Sequence, residues 1–231
     1  VLGKPPGATP LRDYYKVGSS IGYHLDRSRR DAAVNQWLFE QINAFARATP
    51  WLHGTARAYA TYGVVLFAGL LLAGWWVARR AGDVSRVAAA LAAGGAALAA
   101  LAINQPIVHA FHQARPYSTL PNILVLATRS TDPSFPSDHA TMAGAVGAGL
   151  WFVSRRLGIV AAVAALLMAF TRVYTAAHYP ADVAAGLALG GLVAAIAWLV
   201  LRGPLTRLIA ALAGTRLRPV LVAPAAGPQL S

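Results

Sequence analysis

The stretch SFPSDHATMAGAVGAGLWF, residues 134 to 152, sets a serine, an aspartate and a histidine directly before a run of alanine, glycine and larger apolar residues without a charge. Read as a helix entering a bilayer, it places Asp138 and His139 at the lip, where polar groups are costly and usually functional. The same texture recurs along the chain. Spanning candidates lie at roughly residues 59–78, 87–110, 139–154, 157–177 and 182–201. The third is short, yet at about 1.5 Å per residue it covers most of a hydrocarbon core about 30 Å thick. With 57% of residues apolar and 12% charged, the expected fold is all-α: one polytopic membrane helix bundle with five or six transmembrane helices and an N-terminal amphipathic helix.

Charge placement excludes another reading. A formal charge of +12 would suggest nucleic acid as a partner for a soluble protein, but here arginines, 18 of the 20 basic residues, sit mostly at the ends of apolar runs. The expected partners are the bilayer and a lipid, not nucleic acid. With no cysteine, disulfide and thiolate chemistry are excluded. Residues 1–30 read as a basic, flexible arm without periodicity and without the apolar core of a secretory leader. Residues 31–57 read as an amphipathic interfacial helix opened by Asp31. Its stripe is Val34, Trp37, Leu38, Ile42 and Phe45, broken by Gln41. Packing of that stripe against the bundle is the alternative. Residues 58–203 form the transmembrane domain and 204–231 a basic tail, in which Leu205–Leu212 is too short to span.

Arg79, Arg80, Arg86, Arg155, Arg156, Arg202, Arg207, Arg216 and Arg218 fall at one end of an up-and-down bundle, and the positive-inside rule assigns that end to the cytoplasm. With five spans the basic N-terminal arm sits outside, against the rule, unless residues 34–57 contain a crossing.

The unusual polar residues meet at the other end. The second span ends at His109, His112 and Arg115, the third begins at Ser137, Asp138 and His139, and the fourth ends at Arg172, followed by His178 and Asp182. A carboxylate beside an imidazole fixes its tautomer and stabilises its cation, as an activated histidine nucleophile requires. Ser137 at a helix start offers a hydroxyl and free backbone N–H groups, and two arginines offer planar forks for phosphate oxygens. The chemistry implied is phosphoryl transfer. A metal is the competing explanation for the histidines and aspartates, but no HExxH occurs and two arginines are poor neighbours for a cation.

RP at 115–116, PSDH at 136–139 and TRVYTAAHYPAD at 171–182 resemble the three signature motifs of the type 2 phosphatidic acid phosphatase superfamily, K-x6-R-P, P-S-G-H and S-R-x5-H-x3-D. The chain departs from them at Val108 (lysine), Asp138 (glycine) and Thr171 (serine). The first two departures, with SFPSDH, are similar to the bacitracin-resistance branch of undecaprenyl-diphosphate phosphatases, which recycles the lipid carrier of cell-wall synthesis at the outer face of the bacterial plasma membrane. The resemblance implies that His178 is the nucleophile and forms a phosphohistidine, oriented by Asp182. It implies that His139 protonates the leaving oxygen and then activates water. Arg115, Arg172 and Ser137 bind phosphate, with no metal or other cofactor. His109, His112 and Asp138 stay accessory candidates: the histidines as partial substitutes for the lysine, Asp138 as a helix cap or as acceptor from His109, His112 or an arginine. The alternatives are another lipid phosphatase, acting on phosphatidylglycerol phosphate, phosphatidic acid or a prenyl-phosphosugar, and a non-catalytic phosphate-lipid-binding membrane protein.

Overall fold

The structure, a computed structural model, describes residues 11–223, with side chains from residue 29 onward. The first ten residues of the expected arm and the last eight of the tail lie outside the described residues. The described chain is helical: α1 (Leu11–Ala48), a 3-10 turn at Pro50–Leu52, α2 (His53–Arg80), α3 (Val84–Phe111), α4 (Pro116–Thr119), α5 (Asp138–Val153), α6 (Arg155–Tyr174), α7 (Pro180–Ala213) and α8 (Arg218–Leu221). The segments containing α2, α3, α6 and α7 are long and apolar enough to cross a membrane. At 16 residues α5 is shorter, and it is the centre of the bundle, packed by α3, α6 and α7 and touched by α2. Ala140, Ala143, Ala145, Val146 and Leu150 are buried around its circumference, as expected for a helix apolar on all sides.

Local chemistry sets the turns away from the polar end. Gly82 takes a left-handed φ of 66°, and the Asp83 side chain then caps α3 by accepting from the N–H groups of Ser85 and Arg86. One extended residue, Ser154, ends α5 and begins α6. Contrary to the expected end of the last span near residue 201, α7 continues through Pro204 and absorbs Leu205–Leu212.

One expectation for the N-terminal region changes. Asp31 does not open a helix: α1 already runs from Leu11, so residues 11–30 of the expected arm are helical, and no proline falls between Pro10 and Pro50 to interrupt it. The apolar stripe divides: Ile42 packs half-buried against the bundle and the Phe45 ring meets Phe170 and Tyr174, while the earlier residues face outward. Val34, Trp37, Leu38 and Phe45 are exposed, while Phe39, Asn43 and Ala46 are buried. The inward face is fixed by contacts along one side. Asn35 accepts from the Ala181 N–H, Phe39 meets Tyr179 edge-on, Asn43 exchanges two hydrogen bonds with Leu124, and Arg47 donates to the Asn122 carbonyl. These partners lie in the loops and the first turn of α7 at the polar end, and α1 is not among the described helices long and apolar enough to cross a membrane.

Most of the interior is alanine, so backbones approach closely. Gly186 and Gly190 of α7 pack on the carbonyls of Ser137 and Thr141 in α5; a methyl group at Gly186 would stand 2.7 Å from the Ser137 oxygen. Gly144 packs likewise on Leu187. Gly94 and Gly95 of α3, by contrast, have open space beside them.

Candidate active site

Two helix ends and two loops converge beside the start of α5. The Ser137 N–H donates to the Asp182 carbonyl at 3.1 Å, tying the start of α5 to the first turn of α7. The segment between α4 and α5, which has no regular structure, is held by side chains and backbone. The N–H groups of Leu126 and Ala127 donate to the Thr175 carbonyl, the Ser134 N–H donates to the Gln113 carbonyl at 2.7 Å, and the Tyr117 hydroxyl bonds both backbone groups of Ser130. Backbone polar groups of a loop thereby find partners at the edge of an apolar bundle.

His178 is 3% exposed and both ring nitrogens are engaged. Nδ1 lies 2.8 Å from the Ser134 carbonyl oxygen, to which it must donate, and 3.7 Å from an Asp182 carboxylate oxygen. The proton is therefore on Nδ1 and the lone pair on Nε2. Nε2 faces a guanidinium nitrogen of Arg115 at 3.4 Å and one of Arg172 at 3.3 Å. Burial pushes the His178 imidazole below its ordinary range. The Asp182 carboxylate opposes that shift, and Arg172 and Arg115 add to it.

Asp182 is fully buried, and three donors offset the cost of that burial. They are the Tyr179 N–H at 2.8 Å, the Gln113 amide at 3.2 Å and the Ser134 hydroxyl in a short hydrogen bond. The expectation that Asp182 orients His178 is thus refined. The nearest acceptor of the ring is the Ser134 carbonyl, and Asp182 both faces Nδ1 at 3.7 Å and bonds the Ser134 hydroxyl. Ser134 and Gln113 were not singled out from the sequence; the adjacency of Ser134 to the PSDH run is the one signal that marked it.

The arginines are anchored by backbone oxygens. Arg115 donates from Nε to Asp132 at 2.8 Å and from Nη1 to Ala177 at 3.2 Å. Arg172 donates from Nη1 to Ala60 of α2 at 3.2 Å. Both line a cavity of roughly 430 Å³ with His178, His139, His109 and Asp138. Ser137 and Asp182 stand behind this wall. Ser137 is fully buried, and its hydroxyl has no hydrogen-bond partner among the described residues.

The accessory candidates separate. Asp138 does not accept from His109, His112 or an arginine. Its Oδ1 accepts from the amides of Asn104 at 2.7 Å and Gln105 at 3.0 Å, both on α3. His109 lines the cavity, whereas His112 ends α3 in a left-handed conformation with φ of 46° and is no part of it. Val108, at the position of the motif lysine, is 6% exposed and lines the cavity as an apolar side chain. Among the described residues no three His, Asp or Glu side chains are grouped to hold a metal ion.

A buried imidazole lone pair facing two anchored guanidiniums, at one end of a membrane bundle, is the equipment of a phosphatase that works on lipid phosphates. A family model described as the PAP2 superfamily matches residues 88–204. The chain is 31% identical over 163 residues to undecaprenyl-diphosphatase BcrC of Bacillus subtilis (strain 168), covering 71% of this chain and 79% of that one. It is also 31% identical over 161 residues to the putative undecaprenyl-diphosphatase YbjG of Escherichia coli (strain K12), covering 68% and 77%. In fold it is similar to a transmembrane PAP2-type phosphatidylglycerolphosphate phosphatase from Bacillus subtilis, with a TM-score of 0.52 at 22% identity over 71% of this chain and 85% of the other. This chain belongs to the PAP2 superfamily and is a multi-pass membrane phosphatase.

Proposed function

We propose that the protein hydrolyses undecaprenyl diphosphate, or another polyprenyl diphosphate, to the monophosphate through a phosphohistidine on His178, recycling the lipid carrier at the extracytoplasmic face of a bacterial plasma membrane. The observation that carries the mechanism is the His178 ring: Nδ1 is committed to the Ser134 carbonyl, which leaves the Nε2 lone pair among the guanidiniums of Arg115 and Arg172. Nε2 attacks the terminal phosphorus, the bond to the bridging oxygen breaks, and His139 gives that oxygen its proton. His139 then takes a proton from water, whose oxygen attacks the phosphohistidine and releases inorganic phosphate and free His178. Arg115 and Arg172 hold the phosphoryl oxygens. The two guanidiniums supply the positive charge that phosphoryl transfer requires. The undecaprenyl-diphosphatase named among the relatives, matched over most of both chains, supports the diphosphate as substrate. The arginine-rich opposite end of the bundle supports the outward-facing site.

The test is phosphate release by detergent-purified protein in EDTA, offering polyprenyl diphosphate, phosphatidylglycerol phosphate and phosphatidic acid in parallel, with His178→Ala as control. Release from the diphosphate, with radiolabelled phosphate trapped on the wild-type protein and absent from the variant, is the expected result. Preference for another lipid keeps the mechanism and changes the substrate. Activity surviving in His178→Ala ends the phosphohistidine proposal.

A further inference from the structure

The site cavity continues toward α2. A smaller cavity of roughly 180 Å³ shares His139, Arg172 and Thr128 with it and is walled on the α2 side by Arg57, Ala60 and Thr61. Arg57 and Thr61 are four apart and Ala60 lies between them, so one face of α2 meets the site. That face is in direct contact with the phosphate-binding group, because the Ala60 carbonyl accepts from Arg172. Arg57 makes no hydrogen bond or ion pair among the described residues, and it belongs to none of the three motifs. One turn further along α2, Val64 lines a third cavity of roughly 380 Å³ with Leu101, Ala102 and Met142, and this cavity too reaches His139. Along α2 the order is therefore cation, hydroxyl and apolar side chain, and the three cavities meet at His139.

That order matches a lipid diphosphate. If His178 takes the terminal phosphoryl group and His139 protonates the bridging oxygen, the lipid-linked phosphate has to lie beside His139 on the side away from His178. A monoester places an uncharged alkyl oxygen there, whereas a diphosphate places a second anionic phosphate. We propose, resting on the diphosphatase reading above, that Arg57, assisted by Thr61, binds this lipid-linked phosphate and makes the site selective for diphosphates over monoesters. The third cation of the site then comes from α2, where the family pattern takes a lysine from the position of Val108. The leaving group is a phosphate monoester that stays anionic after His139 protonates the bridging oxygen, so Arg57 faces a charge that the leaving alcohol of a monoester substrate lacks.

The experiment compares kcat/KM of wild type, Arg57→Gln and Arg57→Lys on farnesyl diphosphate, farnesyl monophosphate and phosphatidic acid in detergent. Arg57→Gln is expected to lower diphosphate hydrolysis by about 10- to 100-fold, the scale of a lost charge-assisted contact, and to change monoester hydrolysis by less than about threefold. Arg57→Lys restores part of the loss, and retained monoester hydrolysis shows that the variant is folded. A wild-type protein that cleaves monoesters and leaves diphosphates intact removes the diphosphatase reading and this proposal with it. A wild-type diphosphatase whose Arg57→Gln variant loses both substrate classes alike, or neither, overturns the assignment of Arg57 alone.

Discussion

At one end of the bundle Arg115 and Arg172 are half-buried, with their guanidinium N–H groups committed to the carbonyls of Asp132, Ala177 and Ala60. At the other end Arg80, Arg155 and Arg156 stand exposed, and Arg80 lies 4.8 Å over the Trp76 ring. The connections differ in the same sense. One residue, Ser154, joins α5 to α6 at the arginine-rich end, whereas the segment between α4 and α5 at the site end is tied down residue by residue. On the proposed function the same side chain serves two purposes. A cation in water beside lipid headgroups orients the protein and needs no fixed geometry. A cation that must meet a phosphoryl group is fixed in advance by neutral acceptors, which hold it without neutralising its charge.

Substitutions at the two ends test this contrast most strongly. Arg115→Ala or Arg172→Ala is expected to lower kcat/KM by about 10²- to 10³-fold, the scale of a lost charge-stabilising donor. Arg155→Ala should leave kcat/KM within about twofold while changing only topology-dependent insertion. Equal losses at both ends in a steady-state assay would break the distinction. Ser134→Ala keeps the carbonyl that holds His178 Nδ1 but removes a donor from buried Asp182, a change worth about 1–3 kcal/mol. The expected cost is about tenfold in kcat with little change in KM.

A pH profile then sharpens the electrostatic side. His178 must be deprotonated to attack, and its burial favours the neutral ring, so the acid limb of kcat/KM should fall below the ordinary imidazole value of about 6.5. Arg115→Gln removes a cation that favours the neutral ring, so the limb should move to higher pH. A limb that stays in place would detach the arginine from the titration. The smallest effect is expected from Asn43→Ala, which loses two hydrogen bonds to Leu124 worth about 1 kcal/mol each. It should lower thermal stability in detergent by a few degrees and activity by less than about threefold.

What the sequence made legible follows from which contacts are local. Arg172, His178 and Asp182 lie within eleven residues, and helix ends bring the remaining groups to the same face once the apolar runs are recognised. Ser134, Gln113, Asn104, Gln105 and Asn43 gain their roles only through partners tens of residues away, and hydroxyls and amides carry no spacing signature. Of the readings open for Asp138, a helix cap or an acceptor from His109, His112 or an arginine, none of the charged partners bonds it among the described residues, and two amides of α3 hold it. The α1 stripe shows what periodicity alone leaves open. Apolar periodicity shows which face avoids water, and in a membrane protein lipid satisfies that face as well as a protein core does. The inward side of α1 carries Asn35 and Asn43, which loops and not lipid can satisfy.

The contact of Gly186 and Gly190 with the α5 backbone bears on how such an enzyme can diverge. The alignment of Ser137 with Asp182 rests on main-chain atoms meeting where side chains are missing, while Leu192, Ile196 and Leu199 on the same helix point outward. Those outer residues are free to drift to suit a thicker, thinner or differently composed bilayer without moving the carboxylate behind His178. Adaptation to a host membrane and maintenance of the chemistry therefore run on separate faces of one helix, and selection can act on either without disturbing the other.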